Sequence, residues 1–77
     1  MTFTPGTHFF IEYYNNMLNS EVKRETEKAV LLECEPYKGN DPFTLWVAKK
    51  YILNRISEFV DQSGKTRYSF KYDISSL

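Results

Sequence analysis

Two neighbouring stretches constrain this chain most: Glu25-Thr26-Glu27-Lys28-Ala29-Val30-Leu31-Leu32-Glu33-Cys34-Glu35 and Phe43-Thr44-Leu45-Trp46-Val47-Ala48. Successive side chains of an extended segment point to opposite faces. Val30, Leu32 and Cys34 therefore share one face, and Ala29 and Leu31 the other. In the second stretch Leu45 and Val47 oppose Trp46 and Ala48. Both middles are apolar on both faces, which predicts strands covered on both sides, inside a sheet or a barrel wall. The charges of the first stretch fall at its ends. Glu25, Glu27 and Glu33 read there as solvated strand-end residues rather than as paired catalytic carboxylates.

A chain of 77 residues makes one domain. At this size only about 60% of the surface exposed by the unfolded chain is buried, so the core is marginal. Six Phe, six Tyr and one Trp offset this, since each aromatic buries roughly 150–250 Å². Aromatics are also enriched at interfaces, so composition alone does not separate core from contact surface. Cys34 is the only cysteine. It excludes an intramolecular disulfide and favours a reducing, cytoplasmic setting, with Cys34 as an inert thiol on an apolar strand face. There is no run of about 18 apolar residues, and no basic stretch followed by an apolar block at the N-terminus. No membrane partner is expected.

Residues His8 to Ser20, placed at the helical angle per step, segregate cleanly. Phe9, Phe10, Ile11, Tyr13, Tyr14, Met17 and Leu18 fill an arc of about 200°, with His8, Glu12 and three Asn opposite. Thr4-Pro5-Gly6-Thr7 supplies a helix start, with either Thr as N-cap. An amphipathic helix over about 7–19 is the expectation. Its arc is wider than a small sheet needs, which marks Phe9, Tyr13, Tyr14 and Met17 as candidate partner-binding residues. His8 is the only histidine. With no second His or Cys beside it, neither a zinc site nor any other metal or cofactor is expected.

Pro36 to Pro42 is a turn-rich loop without a phosphate-cradling glycine pattern. Residues 49–62 carry two patterns. Ala48, Ile52, Leu53, Ile56, Phe59 and Val60 lie within about 140° of a helical wheel. However, Lys49 and Lys50 would then sit at the positive end of the helix dipole, and Glu58 and Asp61 near its negative end. Asp61-Gln62-Ser63-Gly64-Lys65 matches a type I turn followed by a left-handed Gly, a hairpin connection. It sets Val60 opposite Thr66, Glu58 opposite Tyr68 and Ile56 opposite Phe70. Arg67 to Asp73 alternates polar and aromatic residues with period two. Ile74 to Leu77 reads as a short terminal tail. The expected fold is α+β: an N-terminal helix on a four-stranded, mainly antiparallel sheet or partly closed barrel. Its strands run over about 25–35, 43–52, 54–61 and 65–73.

The Glu25-Thr26-Glu27-Lys28-Ala29-Val30-Leu31-Leu32 segment, followed by Leu45-Trp46-Val47-Ala48-Lys49-Lys50-Tyr51-Ile52, resembles a pattern of small prokaryotic and phage-type proteins. These have an E-T-E-K-A strand and then a hydrophobic-Trp-hydrophobic-Pro-Lys-Ser strand. Ala48 and Lys50 stand where that pattern has Pro and Ser. The resemblance implies a small β-rich domain in a phage or mobile-element setting, and carries over no functional residues.

Formal net charge is zero, yet residues 1–35 carry a charge of −3 and residues 36–77 of +3. Either the halves form an acidic and a basic side, or neighbouring strands cancel. Three functional classes follow. The first is a non-catalytic protein-binding module, an adaptor, inhibitor or effector gripping another protein or a second copy by the helix face or a sheet edge. The second is single-stranded DNA or RNA binding by Lys49, Lys50, Tyr51, Arg67 and Lys71, which combine a basic track with stacking aromatics. Zero net charge weighs against it. An enzyme is the third. It needs an acid, base or nucleophile constellation that no motif here provides, and the expectation is that the chain is not one.

Overall fold

The structure, a computed structural model, describes residues 2–36, 39 and 41–72. The tail from Ile74 to Leu77, together with Tyr37, Lys38, Asn40 and Asp73, lies outside the described residues.

The N-terminal segment is a hairpin and not a helix. β1 (His8–Tyr13) and β2 (Asn16–Glu25) pair antiparallel, joined by Tyr14 and Asn15 with φ of 48° and 62°. Two successive left-handed residues make a type I′ turn, whose twist matches that of the flanking strands. His8 to Tyr14 holds four aromatics and an isoleucine, residue types that suit a pleated, half-buried surface. In the hairpin Phe9, Ile11 and Tyr13 share one face, and Phe9 and Ile11 are fully buried. A helix would have spread the same side chains over an arc too wide for one small sheet to cover. Ile11 pairs with Leu18, and Phe9 with Ser20. Ser20 Oγ donates to the Phe9 carbonyl at 3.0 Å, so this buried polar side chain is satisfied.

β2 carries a bulge between Val22 and Arg24 and turns into β3 (Ala29–Cys34). Thr26 closes that turn. Its N–H donates to the Ala29 carbonyl (2.8 Å), and its Oγ1 accepts the Ala29 N–H (3.0 Å). β4 (Phe43–Ala48) follows, antiparallel to β3. The chain then leaves the sheet as α1 (Lys49–Arg55) and returns as the hairpin of β5 (Ser57–Val60) and β6 (Thr66–Lys71). In that hairpin Glu58 pairs with Tyr68 and Val60 with Thr66. Ile56 is the C-cap of α1 rather than a strand partner of Phe70.

The strand order is β4-β3-β2-β1-β6-β5. β6 lies parallel to β1, with Phe70 beside Ile11; the other pairings are antiparallel. Among the described residues the architecture is therefore a six-stranded mixed, open sheet with one short helix, in place of the four-stranded sheet or barrel carrying an N-terminal helix.

The helix at Lys49 forms despite its two N-terminal lysines because one is neutralised. Lys49 Nζ lies 2.7 Å from Glu25 Oε2, and 5.7 Å above the centre of the Phe3 ring. Arg55 sits favourably in the last turn. No side chain caps its N-terminus, and packing holds the helix: Ile52 is fully buried, and the Tyr51 ring meets Phe70 edge-on at 6.4 Å.

The core occupies one face of the sheet. Phe9, Ile11, Val22, Val30, Leu32, Cys34, Val47 and Phe70 come from alternate strand positions, and Ile52 closes over them. The two central stretches were expected to be covered on both faces. Only one is: Trp46, on the opposite face, is 54% exposed. The charge halves do not form two sides either. β1, β2 and β3 lie in the middle of the sheet, flanked by β4 on one side and by β6 and β5 on the other.

Candidate interface along the β4 edge

Among the described residues, β4 has a neighbouring strand on one side only. In an antiparallel ladder, residues alternate between those bonded to the neighbour and those directed away. The Lys49 N–H donates to the Lys28 carbonyl at 2.8 Å, in register with the β3–β4 pairing. Counting back by two, Val47, Leu45 and Phe43 bond to β3. Thr44, Trp46 and Ala48 therefore direct their N–H and C=O groups outward.

Edge strands are ordinarily blunted by a lysine, a proline, a bulge or shortness. β4 has none of these over Phe-Thr-Leu-Trp-Val-Ala. The opposite edge, β5, is only four residues long and carries Glu58. On the core side of β4, Leu45 and Val47 pair with the buried Leu32 and Val30. On the uncovered side, Trp46 stands beside Leu31, Thr44 beside Glu33 and Ala48 beside Ala29. Past Ala48 the edge opens into a groove of about 480 Å³. Ala48 and the half-exposed Leu53 supply its apolar lining, and Glu27, Lys28, Lys49, Lys50 and Asn54 its polar lining.

The rest of the uncovered face is mixed. His8, Glu21, Lys23 and Glu33 cluster at its centre, with Lys23 Nζ 3.4 Å from Glu21 and 3.8 Å from Glu33. His8 Nε2 is 4.0 Å from Glu21 Oε1, beyond hydrogen-bond reach. All four side chains are well exposed, so the cluster contributes little to stability. At the far end Phe10 and Phe59 face each other at 6.1 Å.

The four residues assigned to a helix face are dispersed. Phe9 is core, packed against Phe3 and Phe70. Tyr13 is half-buried against Phe43 and Tyr72. Tyr14 sits in the type I′ turn and Met17 on the uncovered face; both are more than half exposed. The nucleic-acid candidates are also not assembled into one track. Lys49 is paired with Glu25. Lys50 is exposed on α1. Tyr51 donates its hydroxyl to the Lys71 carbonyl (3.3 Å) and carries the Arg55 guanidinium 3.9 Å from its ring centre. Arg67 Nε donates to Asp61 Oδ2 at 2.7 Å. Lys71 lies beside Glu12 on the uncovered face, across the sheet from the helix that carries Lys49 and Lys50. Tyr68, Phe70 and Tyr72 turn toward the core.

Thr44, Trp46, Ala48, Leu31 and Leu53 line this candidate interface and were not among the residues singled out from the sequence. The available signal was the run of six residues in β4 without a charge, a Pro or a Gly.

Cys34, Asp61 and Tyr72 are shifted. Burial, then the neighbouring Glu33, pushes the Cys34 thiol up to about 11, leaving little thiolate at neutral pH. Hydrogen bonds from Ser63, then Arg67 and the Lys65 N–H, hold the Asp61 carboxyl well below the usual carboxylate range. Burial, then Tyr51 and Tyr13, raises the Tyr72 phenol. Among the described residues, no group of three or more His, Cys, Asp or Glu is placed to hold a metal ion. None of their helices is long and apolar enough to cross a membrane.

No protein-family model, curated protein or solved structure matches the chain.

Proposed function

We propose that this chain is a small non-catalytic protein-binding module that takes a partner strand at the β4 edge. One observation carries the reading: β4 is an unprotected edge strand with Trp46 54% exposed beside its outward backbone groups. Strand addition satisfies such a row of N–H and C=O groups, and alternate side chains then supply specificity. Trp46 supplies the aromatic anchor that interfaces favour. The basic residues lie on opposite sides of the sheet, so a nucleic-acid track has less support than the edge.

A photo-crosslinking amino acid in place of Trp46, expressed in the cells of origin, tests this. The expected result is a covalent adduct with a polypeptide, lost when Thr44→Pro removes an outward N–H. Absence of any polypeptide adduct overturns the reading.

A further inference from the structure

We infer that the strand taken at this edge is β4 of a second copy, paired antiparallel about a two-fold axis through Trp46. The inference rests on the reading of β4 as a strand-accepting edge, and names the partner and the register.

The geometry restricts the choice. A two-fold axis normal to the sheet keeps both helices on the same side. It requires paired residues to share a face, so the axis must pass through a residue rather than between two. About Leu45, the outward groups of Ala48 fall opposite Pro42, which has no N–H to give. About Trp46, Thr44 faces Ala48 of the other copy, Trp46 faces Trp46, and Ala48 faces Thr44. Each of these pairs exchanges both N–H···O=C bonds, and no outward group between Thr44 and Ala48 is left over.

Charge selects the same arrangement. The strand is neutral, preceded by Asp41 and followed by Lys49, already paired with Glu25, and by the exposed Lys50. Antiparallel pairing brings the acid of each copy to the bases of the other; parallel pairing would set like charges together. The chain of the second copy, continuing beyond its Thr44, carries Pro42 and Asp41 toward the groove beside Ala48. That groove offers Ala48 and Leu53 to the proline, and Lys28 and Lys50 to the carboxylate, with Glu27 the one acid among its described lining residues. The paired indoles then cover each other on the face that α1 leaves open.

Sedimentation equilibrium of the wild-type chain from about 1 µM to about 1 mM, the range of weak association, tests the inference. The expected result is a concentration-dependent doubling of the 9.1 kDa mass. Thr44→Pro, which spares every bond to β3, and Trp46→Lys, which sets like charges on the axis, both stay at the monomer mass, with circular dichroism confirming that they fold. Cysteine scanning reads the register. Opposed residues at bonded positions have Cα atoms about 5.5 Å apart, within the roughly 4.4–6.8 Å that a disulfide spans. Trp46→Cys should therefore form a covalent dimer on oxidation, and Leu45→Cys should not. A wild-type monomer at every concentration, open-ended assemblies, or cross-linking through Leu45→Cys instead overturns the inference. If the wild type is monomeric while the probe at position 46 captures a different polypeptide, the edge reading stands and the second copy is wrong. If neither occurs, both fall.

Discussion

Trp46 stands directly opposite Leu31 across the β4–β3 ladder, on the face of the sheet that α1 does not cover. One residue to either side, Leu45 and Val47 reach the covered face, against Leu32 and Val30. A single strand is thus anchored by one set of side chains and offered by the other.

This division predicts a split between stability and association. Leu32→Ala removes a fully buried side chain and should cost about 2–5 kcal/mol in urea unfolding. That is a large part of the roughly 5–15 kcal/mol typical of a whole domain. Trp46→Thr should change stability by less than about 0.5 kcal/mol, as exposed substitutions do, while weakening association at the edge. Equal destabilisation by the two would show that Trp46 is part of the core.

The β1–β2 turn gives a second test. Asn15 has a φ of 62°, a region that Asn and Gly tolerate and β-branched residues do not. Asn15→Val should lower stability by about 1–2 kcal/mol, the cost of a left-handed residue with an awkward Cβ. Asn15→Gly should hold or raise it. Thermal melts of the two variants check this, and a harmless Asn15→Val would contradict a type I′ turn.

Asp61 gives a pH dependence. Its Oδ1 accepts from the Ser63 hydroxyl (2.6 Å), the Ser63 N–H (2.9 Å) and the Lys65 N–H (3.0 Å), while Oδ2 accepts from Arg67. These bonds favour the ionised form, so the folded-state pKa lies below the unfolded value of about 3.9. The stability this contributes is complete above that value and is lost as pH falls below it. The gap in Tm between wild type and Asp61→Ala should be constant from about pH 5 to 8 and close in more acid solution. A gap that widens on acidification would contradict the assigned bonds.

Local chemistry was legible where a short motif decides a turn. Asp61-Gln62-Ser63-Gly64-Lys65 indicates a hairpin, and the structure pairs Glu58 with Tyr68 and Val60 with Thr66. The N-terminal segment misled because its aromatics satisfy both periods. Phe9, Ile11 and Tyr13 alternate as a strand, yet with Phe10 and Tyr14 they also fill a helical arc. The deciding feature was Tyr14-Asn15 in left-handed conformation, a pair without the glycine that usually marks such a turn. Lys49 and Lys50 argued against a helix until Glu25, 24 positions earlier, was brought to 2.7 Å from Lys49; no local pattern contains that contact. The candidate interface was hidden for a different reason. An apolar residue such as Trp46 looks the same in sequence whether its strand is central or at an edge, and strand order is a property of the whole chain.

Amide hydrogen exchange along β4 tests the edge most directly. Leu45 and Val47, bonded to β3, should be protected at every protein concentration. Thr44, Trp46 and Ala48 should exchange freely in dilute solution and become protected together as concentration rises through the association range. Exchange at those three amides that does not change with concentration would contradict strand pairing at β4.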